Sequence, residues 1–292
     1  MNTIKIYTIS FLLLSNVLFG LDFNLPQGIP TTYVNTREQF NQIDPVQKDA
    51  LQYLKTASKT AHTVRFIFVR HGQTASNAIG GLPGSRTSGD PLTEEGIKQS
   101  LQVGKDLSET QLLFDAIYLS PTTRTRQTLE KMNQKIASSI SFIEDERLHE
   151  KYHGRYEQFG PLTGDELAKV QKDYLVLKEK EIKENTGPQK PFLDKFTFSP
   201  DPAEVESLQN IYDRVTNFIH ETYETSKDSG ANILVISHSG VLKTLFMQEA
   251  YKMGYDIDYR SFEMQNGGIL VIEVDELGMR VVASQGLSLK SP

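Results

Sequence analysis

The chain has 292 residues, 38% of them hydrophobic and 23% charged, with a formal net charge of -6. This length admits one large α/β domain or two smaller ones, and the composition excludes global disorder. The acidic balance argues against a general nucleic-acid binder, although a local arginine cluster still creates an anion pocket. The absence of cysteine excludes disulfides, thiolate metal sites, a Cys nucleophile and a lipid-anchored N-terminal Cys.

In chain order, Lys5 and the terminal amine precede an apolar run from Ile9 to Phe19, and Gly20 offers a small residue for cleavage. Residues 1–20 read as a secretory signal peptide, which implies an exported protein, periplasmic or secreted, with no stable membrane insertion after signal removal. Residues 21–63 form an N-terminal extension and helix. Its first half, 22–43, is polar and Pro/Gly-punctuated, a surface lead-in. Asp44-Pro45 then starts a helix running to about Ala61. The run from Val64 to Val69 is a buried strand ending at Arg70-His71-Gly72. Gly80, Gly81, Pro83, Gly84 and Gly89 mark a loop, and Thr93 caps the next helix.

Further strands are expected over Ala116–Leu119, Ile140–Ile143, Ile233–Ile236 and Gly268–Val274. Helices are expected from about Thr122 to Ala137 and from about Ala203 to Lys227. Residues 155–203, Lys/Glu-rich and then proline-rich, read as an insertion over the core. The alternation predicts a three-layer α/β/α sandwich with a largely parallel central sheet and an inserted cap region. Ligands bind such sheets beyond the carboxyl ends of the strands.

The stretch from Arg70 to Asn77 offers the groups that phosphoryl transfer to a histidine would need. Such a transfer needs a neutral imidazole facing phosphorus, which His71 could supply, with donors around the phosphoryl oxygens: the planar fork of Arg70 suits them, Gly72 lets the backbone come close and Asn77 offers amide donors. This segment resembles the opening motif of the histidine phosphatase superfamily, in its phosphoglycerate-mutase-like branch. Five further segments are similar in order and spacing: 90–99, Ser120-Pro121-Thr122-Thr123-Arg124, Leu148-His149-Glu150 with Gly154, Glu206-Ser207 with Arg214, and Val235–Val241 containing His238. The similarity spans roughly residues 64–285, the expected catalytic domain.

The resemblance implies a two-step transfer. His71 is the nucleophile and Glu150 the general acid/base, while Arg70, Arg124 and His238 hold the phosphoryl oxygens. Substrate contacts are expected from Asn77, Thr74 and, in the glycine-rich loop, Arg86. No cofactor and no metal are implied; the expected partner is a small phosphorylated substrate, with no nucleic acid. Arg126 is expected at the surface or just behind the site, and His149 and His153 as exposed loop histidines with substrate contact as the alternative.

The branch's true mutases carry Arg-His-Tyr-Gly after the acid. Here Lys151-Tyr152-His153-Gly154 stands there, and 192–202 does not reproduce their Arg/Pro-rich segment. The acid-phosphatase branch has an Arg and a Pro where Thr74 and Ser76 stand, and an Asp where Ser239 follows His238. The expected activity is therefore hydrolysis of a small phosphomonoester through phosphohistidine. Phosphoglycerate mutation and noncatalytic capture of a phosphorylated ligand are the rival readings.

Overall fold

The computed structural model describes residues 32–79, 90–152, 165, 206–259 and 261–290. The signal segment, Arg86, His153, Gly154 and, apart from residue 165, the 155–203 insertion lie outside the described residues.

The elements run β1 (Thr32–Val34), α1 (Arg37–Asn41), α2 (Asp44–Gln47), α3 (Ala50–Thr56), β2 (Val64–Arg70), α4 (Ala75–Ala78), α5 (Glu94–Glu109), β3 (Ala116–Leu119), α6 (Thr123–Ile136) and β4 (Phe142–Glu144). A 3-10 turn (Glu146–Leu148) follows. Then come α7 (Leu208–Ser226), β5 (Ala231–Ser237), α8 (Ser239–Lys252), β6 (Tyr255–Ile257), β7 (Phe262–Asp275) and β8 (Gly278–Leu289). The main sheet has the order β4-β3-β5-β2-β7-β8. Its first four strands are parallel, and β7 runs antiparallel to its neighbours β2 and β8.

Period-two alternation divides the core into two layers. Phe66, Phe68, Ile233 and Val235 face a cluster built with Val215, Phe218, Leu242 and Phe246 of α7 and α8. Ile67, Val69, Leu234 and Ile236 face the other way, against Leu54, Val103, Leu107, Leu129 and Met132 of α3, α5 and α6. The sandwich is therefore helix, sheet, helix, with a largely parallel sheet as expected.

The helix from Asp44 is divided. Asp49 caps α3 by accepting from Gln52 N, and Lys48 O accepts from Ser284 N at 3.1 Å, so the chain breaks helical form to meet β8. Residues 32–43 are not a surface lead-in: Val34, Phe40 and Ile43 are buried. Phe40 packs against Phe246 and Phe262, both at 5.8 Å between ring centroids, and burying such a ring contributes about 1.5–3 kcal/mol. The strand expected over Gly268–Val274 begins six residues earlier and forms a hairpin with β8.

Candidate active site

Three parallel strands end in register and present their next residues together. Arg70 pairs with Ser237, and Leu119 with Ile236. His71 N donates to Ser237 O at 3.0 Å and Ser120 N to Ile236 O at 3.1 Å. His71, Ser120 and His238 therefore follow directly from the carboxyl ends of β2, β3 and β5. The rings of His71 and His238 lie 5.1 Å apart, edge to face.

His71 is buried, and its Nδ1 lies 2.7 Å from Gly72 O. A carbonyl only accepts, so Nδ1 carries the hydrogen and Nε2 keeps its lone pair. Burial first, then the Arg124 and Arg70 charges, pull the imidazole well below its ordinary pKa of 6.5. It is neutral at physiological pH, the form a nucleophile requires.

Arg70 closes β2. Its Nη1 donates to Met264 O, and its buried Nε has no hydrogen-bond partner. A buried donor left over beside a neutral imidazole is what an anion-binding pocket provides. Burial lowers the guanidinium's pKa, and Glu150 and Glu263 act against this. Arg124 is fully buried in the first turn of α6, and its Nε and Nη2 donate to His238 Nδ1 at 3.3 and 3.2 Å. His238 sits at the N-cap of α8. Its pKa is also well below 6.5, from burial and from Arg124. Arg126 lies outside, half-exposed and paired with Glu144, as the motif spacing indicates.

Glu150 is held at the start of α8. Its Oε1 accepts from Gly240 N at 2.9 Å and from Lys151 N at 2.8 Å. A Cβ on residue 240 would lie 2.1 Å from that oxygen, so any larger residue would push the Glu150 carboxyl away from Gly240 N. The segment before Glu150 is fixed from α7. Arg214 donates to Glu206 Oε1 at 2.7 Å and also bonds the carbonyls of Arg147 and Glu150. Glu206 Oε2 in turn accepts from Tyr152 N.

Thr74 is fully buried and caps α4, accepting from Asn77 N, so it positions Asn77. Gly72 is required by packing: a Cβ there would lie 2.7 Å from Ser100 Oγ and against the backbone of Gly96 in α5. Asn77 Oδ1 accepts from Thr74 N and from Asn266 Nδ2, which leaves its own amide hydrogens as donors.

Asn266 and Lys243 are not among the expected site residues, and His149 lies elsewhere than expected. Asn266 reaches from β7 to donate to His71 O at 3.0 Å. His149 is buried, not exposed, because Ser120 and Glu146 hold its two ring nitrogens. Lys243 of α8 is buried with Nζ 3.8 Å from the Tyr259 ring centroid. Only Lys243 left a local trace, a lysine one turn beyond Ser239 in an otherwise apolar run.

The chain is similar in sequence and fold to known proteins. The chain is 26% identical over 216 residues to a 2,3-bisphosphoglycerate-dependent phosphoglycerate mutase of Parvibaculum lavamentivorans, covering 73% of this chain and 91% of that one. It is 28% identical over 236 residues to a mutase of the same description from Neisseria meningitidis, covering 73% and 96%. Similar folds include a phosphoglycerate mutase from Bacillus anthracis, with TM-score 0.58, 18% identity and 76% and 93% coverage. Another is an alpha-ribazole phosphatase from Shigella flexneri, with TM-score 0.51, 22% identity and 78% and 100% coverage. The family model described as histidine phosphatase superfamily (branch 1) matches residues 66–285, and the chain belongs to that superfamily.

Proposed function

We propose that the protein is a phosphatase that hydrolyses a small phosphomonoester through a phosphohistidine on His71. The observation that carries this reading is His71 itself, neutral, with Nδ1–H held by Gly72 O and Nε2 left as nucleophile between two arginines. Nε2 attacks phosphorus while Glu150 gives its proton to the departing alkoxide oxygen. Water then attacks phosphohistidine, with Glu150 as base, and releases inorganic phosphate. Arg70 and Arg124 carry the charge on the equatorial oxygens, and Asn77 adds an amide donor. Hydrolysis is favoured over mutation by Lys151-Tyr152, which stand where the branch's mutases carry an arginine and a histidine.

The test is phosphate release from a panel of phosphomonoesters by wild type and His71→Ala, with a metal chelator present. Release that survives chelation and disappears in the variant supports the reading; release that persists in His71→Ala overturns it. The second reading, phosphoglycerate mutation, is favoured by the curated relatives, and interconversion of phosphoglycerates in the presence of bisphosphoglycerate would select it. We also propose export directed by residues 1–20. N-terminal sequencing of the protein recovered from its native cells tests this, since a start at Met1 or Asn2 overturns it.

A further inference from the structure

A row of hydrogen bonds joins the phosphoryl pocket to the surface, and the chemistry of its ends fixes its sense. Guanidinium has no acceptor, so Arg124 donates to His238 Nδ1, which therefore holds the lone pair. The His238 proton is on Nε2, 2.8 Å from Ser120 Oγ. Ser120 accepts it, which directs its own hydrogen toward His149 Nδ1 at 3.4 Å. His149 Nε2–H then donates to the carboxylate of Glu146, whose side chain is 81% exposed. Each member donates outward and accepts from the pocket side, with Ser120, His149 and His238 all buried.

Among the described residues, the following charged groups act on the row. Asp145 acts on His149 but is engaged by Arg147, and Arg124 and Arg214 act on His238 from α6 and α7. Glu146 is the acceptor that opens on water.

We propose that Ser120, His149 and Glu146 form a proton relay through which His238 exchanges its proton with solvent as a phosphoryl group binds. This rests on the pocket binding phosphoryl groups, as in the function proposed above. With Arg124 donating to it, His238 Nδ1 carries a lone pair, and that lone pair repels a dianion brought against it. A phosphate whose second pKa is about 6 still delivers a fraction of monoanion near neutral pH. As Arg124 turns to the phosphoryl oxygens, the monoanion's P–O–H proton passes to His238 Nδ1. The Nε2 proton passes to Ser120 Oγ, the Ser120 proton to His149 Nδ1, and the His149 Nε2 proton to Glu146 and on to water. One proton enters and one leaves. His238 stays neutral and now presents an N–H donor to a dianion, and the sequence reverses on product release. Ser120, His149 and Glu146 are positioning residues in this scheme, since none touches the substrate.

The test uses the whole protein with inorganic phosphate as probe, and two variants. His149→Phe keeps ring volume but removes both nitrogens. Glu146→Gln alters only an exposed side chain, so it folds. Imidazole nitrogen NMR reads the His238 tautomer, and titration calorimetry from pH 5.5 to 8 reads phosphate affinity. In wild type, phosphate is expected to switch His238 from Nε2–H to Nδ1–H. In His149→Phe the switch is lost and affinity at pH 8 falls about tenfold, with little change at pH 5.5, where the monoanion dominates. Glu146→Gln shows a smaller loss in the same direction. A wild-type tautomer that does not change with phosphate, or variants matching wild type across the pH range, overturns the relay. A protein that switches tautomer but hydrolyses no ester keeps the relay and loses the phosphatase reading. One that hydrolyses esters through His71 without the switch does the reverse.

Discussion

Arg70 of β2 and Ser237 of β5 are register partners in adjacent parallel strands. The residues that follow, His71 and His238, are thereby brought side by side although 167 positions separate them in the chain. Side chains on strand ends are held by the ladder behind them, so their geometry is set before any ligand arrives.

Acid should destabilise the protein through this pair. Below about pH 6.5 the unfolded chain protonates both histidines, while the folded chain keeps them neutral. The unfolded state then binds more protons, so stability falls as pH drops below 6.5, and these groups have no such effect above it. Urea midpoints at pH 7 and pH 5 should differ by less in His71→Asn than in wild type. An equal drop in both would remove His71 from this account.

Gly240→Ala should damage catalysis more than folding. The added methyl group displaces the Glu150 carboxyl from Gly240 N. Loss of general acid/base action costs roughly 10²–10⁴ in kcat. Steady-state kinetics should show that fall with KM little changed, while the melting temperature moves by a few degrees.

The Glu206–Arg214 pair should couple stability to activity. Both side chains are largely buried, and Arg214 also holds the Arg147 and Glu150 carbonyls. Removing one partner of such a pair costs about 3 kcal/mol. Glu206→Ala is expected to unfold at lower denaturant and to lower kcat, with Glu206→Gln recovering part of both. Full activity in Glu206→Ala would show that the pair does not position Glu150.

Lys243 should be a net burden on stability at neutral pH and below. Burial, assisted by Lys290, holds its pKa at about 7, against the ordinary 10.5. Below pH 7 the folded state carries the full cost of a buried charge. From 7 to 10.5 only the unfolded chain binds the proton, so stability from this group rises with pH across that window. Lys243→Met is expected to raise the melting temperature most at pH 6 and least at pH 10. A gain independent of pH would assign the effect to packing alone.

The sequence by itself determined the motif order, the two-faced strands at 64–69 and 233–236, and the identity of His71, Arg70, Arg124, Glu150 and His238 as a constellation worth testing. Strand recognition succeeded there because buried parallel strands are short apolar runs with turn residues at their ends. Helix α8 was not legible, since residues Gly240 to Ala250 are all buried and show no polar stripe. The antiparallel sense of β7 in the sheet comes from its pairing with β2, far away in the chain. The break at Lys48-Asp49 was decided by a bond to Ser284, more than two hundred residues away.

The same division holds in the site. That His71 is a candidate nucleophile is written in its neighbours; that it is neutral with a fixed tautomer comes from burial, two arginines and the Gly72 carbonyl. His149 reads in sequence as a loop histidine, and only the convergence of β3, β5 and the 3-10 turn makes it the link between Ser120 and Glu146. Spacing along a chain records which residue types are available. Protonation states and hydrogen-bond directions depend on distance and solvent exclusion, which exist only once distant segments are packed together.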